Sequence, residues 1–519
     1  MVKQTYHDVA IIRPDVLALG GDGVFHHFQR QKEGPSNLVV FTPGDLDKLN
    51  ARSRQSNGIK SGLAYLANHQ NFPNPKEGGI SFGKISDSLD IAVVYGLQSD
   101  NDSRGYDPEQ LMKKLEDNVN IRSNELPLFM TNNSADRIKL GALGLRVEKP
   151  EFLLVDSSIV DSGIVIGNDD LYAKLQSTKD HSVSLGEAID LLGVNDLHLN
   201  QFIKFLGAES KSEYARITGN LFRNRDGSRI IGVQNETVSL LNHHEKSKRM
   251  SIGGNTFHNV LGVTPFDMEQ YLAFQDGLLN QDVEVFFLCG SQGSGKTLLT
   301  YAAAVDQIIW HNKESRELRY GKGKPKGAPY DGMVLLKPNE VLGGKRRDVG
   351  ALPGNLFQKL KPHLEPYVDA HRETILSGTL PFEEMLRHPK FPNDFFNDPR
   401  KKYTVEGGHF NPNLEAIQMT YSGFMRGRSF RNMFVVVDEA QNLEPFEMKT
   451  IFERLGPGCK MVVLGDPRQV DNPNCSPQIN GLTHAVAHYC GQPNTALINL
   501  SRNYRSAASE HARQWNIYN

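Results

Sequence analysis

The apolar run Val-Glu-Val-Phe-Phe-Leu-Cys at 283–289 passes directly into Gly290-Ser291-Gln292-Gly293-Ser294-Gly295-Lys296-Thr297, and no other segment restricts the fold as tightly. A nearly continuous apolar run of this length reads as a strand buried on both faces, the environment of a parallel sheet covered by helices. The residues that follow fit G-x-x-x-x-G-K-[ST] at every defined position, and an amphipathic helix is expected from Leu298 to about Ile309. Glycines there let backbone N–H groups curl around an anion, and the helix N-terminus favours its negative charge. Strand, loop and helix in this order predict a P-loop. Lys296 is then expected to reach the β- and γ-phosphates of ATP, and the Thr297 hydroxyl to ligate Mg²⁺.

A second apolar run ends in paired carboxylates, Val435-Val436-Val437-Asp438-Glu439-Ala440-Gln441. Asp438 is expected to hold Mg²⁺ through its water shell, leaving Glu439 to polarise the attacking water. The next run, 459–466, leads into Gly465-Asp466-Pro467-Arg468-Gln469. Gln469 at that strand tip is the candidate sensor of the γ-phosphate.

The chain has 519 residues, which predicts two or three cores rather than one. In 1–155, apolar runs such as 9–12, 38–42, 90–97, 126–132 and 152–156 read as strands. Helical spacing falls between them at 58–70, 108–118 and 135–143, so an α/β domain is expected. Residues 156–260 read as a small β-rich module and linker, and 261–519 as the P-loop domain. A basic loop at 316–329 carries Arg316, Arg319, Lys322, Lys324 and Lys326. The formal net charge of −2 means that a nucleic-acid partner would need a local basic surface. Cys289, Cys459, Cys475 and Cys490 form no C-x-x-C pair, which argues against metal clusters and a disulfide framework and for a reducing cytoplasm. His484 and His488 share a helix face ahead of Cys490, but with no second ligand cluster they read as ordinary surface or core residues. No apolar run approaches transmembrane length or a signal peptide, so a soluble cytoplasmic protein is expected.

Pro265, Gln270, the P-loop, Arg426-Gly427-Arg428-Ser429, the run 438–442, Arg454-Leu455-Gly456 and the run 465–471 together resemble the PhoH ATPases, relatives of superfamily-one helicases. Leu352-Pro353-Gly354 and Lys359-Leu360 resemble that family as well. The resemblance covers about 261–519 and implies a RecA-like ATPase acting on RNA, single-stranded above all, with DNA left open. It implies that Gln270 reads adenine, since an amide donates and accepts at once. Asn499 to Ser506 resembles the motif in which a Tyr stacks on adenine and an Arg contacts the γ-phosphate, which implies those roles for Tyr504 and Arg505, with Arg502 the alternative finger. Thirteen residues follow Ser506, too few for a second lobe, and a ring, most simply a hexamer, is expected to complete the cleft. Lys337, Lys345, Arg346 and Arg347 are expected to grip a phosphate backbone there.

Residues 8–150 resemble, more loosely, a PIN nuclease, a fold that occurs fused to PhoH domains. Asp45-Leu46-Asp47-Lys48-Leu49 resembles that family's Glu-Leu-Asp-Lys-Leu, and Asp117 matches its third acid. Arg13 stands where the first acid belongs and Asn133 where the fourth does. Removing carboxylates and adding a cation weakens any Mg²⁺ or Mn²⁺ site, so a degenerate nuclease retained for RNA binding or assembly is expected. An active ribonuclease fed by the ATPase, with Asp15 or Asp22 compensating, and an ATP-gated RNA-binding assembly are the competing readings.

Overall fold

Alternate residues of a strand point to opposite faces, and the short apolar runs near the amino terminus use both. Ala10, Ile12, Val39 and Phe41 enter one buried cluster, while Val9, Ile11, Leu38 and Val40 enter another. The computed structural model describes, with short gaps, residues 4–46, 80–97, 107–308, 329–382 and 417–505. They fall into two compact units: 1–155 with 443–450 and 472–481, and the remainder.

In the first unit the strands are β1 (Gln4–Tyr6), β2 (Val9–Ile12), β3 (Asn37–Phe41), β4 (Ile80–Ser86) and β5 (Leu89–Val94). Helix α1 (Pro108–Asn118) precedes β6 (Val119–Ile121), β7 (Leu128–Met130) and β8 (Val147–Glu148). The main sheet runs β4-β5-β3-β2-β7-β8, parallel except for the β4–β5 hairpin, and β1 pairs with β6. Asp107 caps α1 by accepting from the Glu109 N–H at 2.9 Å. Leu111, Met112 and Leu115 bury its inner face. The run at 152–156, expected as a strand, instead begins in a 3₁₀ turn at Glu151–Leu153. Its neighbour Pro150 has no N–H to give a ladder. The expected helix at 58–70 lies outside the described residues.

The second unit opens with a five-stranded sheet, β10-β13-β12-β11-β9, made of β9 (Ile164–Ile166), β10 (Ser182–Ser184), β11 (Phe202–Leu206), β12 (Ser212–Arg223) and β13 (Ile230–Leu240). Helices α2 (Asp169–Ser177) and α3 (Leu185–Leu192) pack with it, each with a side-chain N-cap, Asn168 and Ser184 respectively. A two-stranded ribbon follows, β14 (Met250–Ile252) with β15 (Asn255–Phe257). Then come α4 (Met268–Leu272), β16 (Val285–Gly290), α5 (Lys296–Ile308), β17 (Gly332–Lys337), β18 (Val341–Leu342), β19 (Lys345–Arg346) and α6 (Leu356–Arg372). The chain continues through β20 (Ile417–Tyr421), β21 (Met433–Val437), β22 (Lys460–Gly465) and β23 (Thr495–Leu500). The order β20-β17-β21-β22-β16-β23 is parallel throughout, and β16, β21 and β22 are buried along their whole length. This is an α/β fold built on parallel sheets. No helix among the described residues is long and apolar enough to cross a membrane.

The five-stranded sheet shares its core with the six-stranded one, since Phe202, Tyr214 and Leu241 belong to the cluster that holds Phe286, Leu288 and Ile498. Asn200 Nδ2 donates to the carbonyls of Pro493 and Thr495 at 3.1 and 3.0 Å. Arg216 pairs with Asp276 at 2.8 Å. Gly163 lies so close to β23 that a Cβ there would meet the Leu497 carbonyl oxygen at 1.9 Å. Relief would require a shift of backbone against backbone. Gly163→Ala is therefore expected to lower stability by about 1–3 kcal/mol, seen as a drop in Tm; an unchanged Tm would refute this close approach.

Candidate nucleotide site

The site forms where parallel strands end, because each strand delivers its loop to the same edge of the sheet. Gly290, Gly293 and Gly295 leave β16 with φ of 143°, 82° and 96°, values that side chains resist. Lys296 opens α5 and turns back over the loop, its Nζ donating to the carbonyls of Gly290 and Ser291 at 2.6 and 3.0 Å. Ser291 Oγ is buried in the same loop with no hydrogen-bond partner. A curled loop with an ammonium held by carbonyls and a hydroxyl left over suits a phosphate chain, and Thr297 lies beside Lys296 on the first turn of α5.

At the end of β21, Asp438 is buried and accepts from the Tyr367 hydroxyl of α6 at 3.1 Å. Lys337, the last residue of β17, places Nζ 3.3 Å from the same carboxylate oxygen. Its side chain is 12% exposed, which corrects the expectation that Lys337 faces a nucleic-acid backbone. β17 pairs with β21 so that Leu336 lies opposite Val437, and the next residue along each strand is Lys337 and Asp438.

Glu439 adopts φ 55°, a conformation uncommon outside glycine. Burial, then the neighbouring Asp438, raise its pKa above the ordinary carboxylate value. Burial lowers that of Lys296, against the opposing pull of Glu439, Asp438 and Asp466. Gln441 joins these groups. Its Nε2 donates to Glu439 Oε2 at 2.6 Å and to the Gln469 carbonyl at 3.0 Å, while its Oε1 accepts from the Asp466 N–H at 3.2 Å. Gln469 in turn donates from Nε2 to Asp466 Oδ2 at 3.0 Å. Sequence reading gave Gln441, Tyr367 and Glu269 no role. Gln441 stands two residues past Glu439, a position from which it could have been suspected.

Gln270 lies on α4 behind the P-loop and is 3% exposed. Its Nε2 donates to the Ser294 carbonyl at 3.0 Å and its Oε1 accepts from the Phe266 N–H at 2.8 Å. Both ends of the amide expected to read adenine are thus bonded to the protein. Tyr504 is seated on the loop by its N–H, which donates to the Gly293 carbonyl at 3.0 Å. A Cβ on Gly293 would meet Arg505 Cγ at 2.6 Å, so the Arg505 stem lies over the P-loop of its own chain. Glu269 accepts from both the N–H and the hydroxyl of Ser501 at 2.8 Å, and pairs with Lys204 of β11 at 3.2 Å.

Residues 263–515 match the family model for PhoH-like protein. Protein PhoH2 of Bacillus subtilis is 26% identical over 446 residues, covering 86% of this chain and 80% of that protein. The matches support a PhoH-family protein. A PhoH-like protein of Synechocystis sp. is 33% identical over 194 residues, which cover 37% of this chain and 44% of that relative. The arterivirus nonstructural protein 10 helicase, solved with DNA, aligns with 64% of this chain and 53% of its own at a TM-score of 0.19 and 12% identity, a likeness that carries no argument.

The amino-terminal sheet brings together a second set of candidates at the ends of β2, β3 and β7. Arg13 Nη1 lies 2.9 Å from Asp45 Oδ1, the two side chains 6% and 0% exposed. Thr42 Oγ1 donates to the other Asp45 oxygen at 2.9 Å, and Thr131 Oγ1 donates to Asp15 Oδ2 at 3.0 Å. Asp117 does not join them. It is exposed in the last turn of α1, which runs on into β6 beside β1, at the amino ends of the strands. Asp107 occupies the start of α1, about 15 Å from Asp117 at 1.5 Å per residue, where it caps the helix. Asp22, Asp47, Asn133, Arg347, Arg426, Arg428 and the basic loop at 316–328 lie outside the described residues, as do the side chains of Lys345 and Arg346. Among the described residues, no three His, Cys, Asp or Glu gather as a metal site.

These geometries make two predictions. Hydrolysis by the wild-type protein should rise with pH along an acid limb displaced above 4.5, the ordinary glutamate value, as Glu439 loses its proton. Glu439→Gln should bind nucleotide yet turn over roughly 100-fold more slowly or worse, without that limb; wild-type turnover in this variant would remove Glu439 from catalysis. Arg13→Met should cost about 3–5 kcal/mol by leaving Asp45 buried beside an apolar group. Chemical denaturation reads this, and an unshifted midpoint would contradict the buried pair.

Proposed function

We propose that this protein is an ATP-hydrolysing motor acting on RNA in the manner of a helicase or translocase, with an amino-terminal PIN-like domain that no longer cleaves. One observation carries the reading: Gln441 ties Glu439 to the strand tip that bears Gln469, beside the P-loop strand. An event at the γ-phosphate therefore has a short hydrogen-bonded route to a loop at the sheet edge.

In this mechanism the P-loop N–H groups of 290–297 cradle the phosphates, and Lys296 leaves its carbonyl partners for the β- and γ-oxygens. Thr297 and Asp438 would hold Mg²⁺, which when bound neutralises charge on the phosphates. Lys337 and Tyr367 fix the Asp438 carboxylate from two sides. Glu439, with its raised pKa, orients water and takes a proton more readily than an exposed carboxylate does. Arg505, already over Gly293, supplies positive charge in cis. RNA as the track and assembly into a ring, most simply a hexamer, come from the family resemblance. The Arg13–Asp45 pair supports loss of cleavage, because a guanidinium sits on the carboxylate a metal would need.

ATP turnover with and without single-stranded RNA tests the proposal. Wild-type turnover should be stimulated by RNA, less so as salt rises, and abolished in Lys296→Ala. Labelled RNA should survive incubation with Mn²⁺. Turnover indifferent to RNA would favour an ATP-gated binding assembly, and Mn²⁺-dependent cleavage lost on Asp45→Asn would restore the nuclease reading.

A further inference from the structure

Among the described residues, β23 is the outermost strand of its sheet, and one side of its backbone faces away from β16. An open edge of this kind is ordinarily covered. Here the residues just ahead of β9 and β11 cover it. Asn200 donates to the carbonyls of Pro493 and Thr495 at 3.1 and 3.0 Å, and Gly163 lies against the carbonyl of Leu497. Asn499 Nδ2 donates to Asp161. Residues 495, 497 and 499 are met in turn, with the period of two that an extended chain imposes.

The next position in this series is Ser501, just past the strand, and it is held by a charge. Its N–H and its hydroxyl both donate to Glu269 Oε2 at 2.8 Å. The other oxygen of Glu269 lies 3.2 Å from Nζ of Lys204 on β11, the carboxylate side chain 7% exposed and the lysine 23%. Burying a carboxylate is costly without a counter-charge, and Lys204 supplies one. Because both oxygens are engaged, the carboxylate keeps one orientation and Ser501 one place. The chain that follows lies over the loop. Tyr504 N–H donates to the Gly293 carbonyl at 3.0 Å, and a Cβ on Gly293 would meet Arg505 Cγ at 2.6 Å. A reacting group displaced by about 1 Å can lose about 100-fold in rate, so the anchor at Ser501 bears directly on Arg505.

We propose that Glu269 and Lys204 are positioning residues for hydrolysis: through Ser501 they set the place of Arg505 over the P-loop, which makes the β-rich sheet a working part of the nucleotide site. The inference rests on the reading of this site as an ATPase in which Arg505 supplies positive charge in cis. Residues that act through one another do not add their effects, whereas independent sites do. A pair that only stabilised the fold would depress turnover alike whatever stands at position 505.

The test is a double-mutant cycle in kcat on the full-length protein, read by release of radiolabelled phosphate at saturating ATP so that slow variants remain measurable. Glu269→Gln and Lys204→Met should each lower kcat about tenfold, as loss of one charge-assisted hydrogen bond does. Made in Arg505→Ala protein, the same changes should leave kcat within about twofold of Arg505→Ala alone. Ser501→Ala alters an exposed residue and removes one of the two bonds to Glu269. It should lower kcat about fivefold, again only while Arg505 is present, and it decides the matter if the buried variants do not fold. Wild-type kcat in Ser501→Ala, or losses that recur undiminished in Arg505→Ala protein, would overturn the proposal and leave the ATPase standing. Full turnover by Arg505→Ala would do the same. Wild-type protein that hydrolyses no ATP would sink the proposed function and this inference together.

Discussion

Parallel pairing in fixed register is the constraint on which the second unit depends. Cys289 lies opposite Gly465 and Asn499, Gly290 opposite Leu500, and Leu336 opposite Val437. Because parallel neighbours start and stop together, the loops after β16, β17, β21, β22 and β23 all emerge at one edge. A shift of one residue in any pair would turn each side chain to the other face. It would also separate Lys337 from Asp438. The site is a consequence of strand register before it is a consequence of any single side chain.

The strands pay little attention to solvent, being buried on both faces, and so their sequences are almost featureless apolar runs. That is why they were legible. The P-loop was legible for a different reason, since its glycines, lysine and threonine act within eight consecutive positions. Residues that act through neighbouring strands or helices were not. Tyr367 and Lys337 reach Asp438 from α6 and β17, and nothing local to either residue reports that meeting. The Gln270 amide could be assigned a capacity from its chemistry, but which partners consumed that capacity depended on Phe266 and Ser294 in three dimensions.

The amino-terminal sheet shows the same division. Strand runs and the helix at 108–118 follow from apolar spacing, and Arg13 could be placed where the resembling family has its first acid by its neighbours in the chain, while its pairing with Asp45 could not. That Asp117 stands apart from the Arg13–Asp45 pair could not be read from spacing, because it turns on where α1 ends as it leads into β6 beside β1. In the 156–260 segment, the long β12–β13 hairpin and helices α2 and α3 were obscured by polar residues. One face of such a hairpin is exposed, so alternation replaces the continuous apolar signal.

The Lys204–Glu269–Ser501 contact bears on how this protein can be dissected. Glu269 adjoins Gln270 and bonds Ser501, three residues before Tyr504, so Lys204 of the β-rich sheet touches one segment that borders the P-loop and reaches the other only through Glu269. The sheet also contributes Phe202 and Tyr214 to the shared core. Boundaries drawn by family similarity begin at residue 263 and cut through this arrangement. A fragment starting there would carry every signature residue of an ATPase, yet it would present a buried carboxylate stripped of its cation and an apolar face stripped of its cover. Homology delimits what is shared with relatives; the physical unit of this nucleotide site is larger.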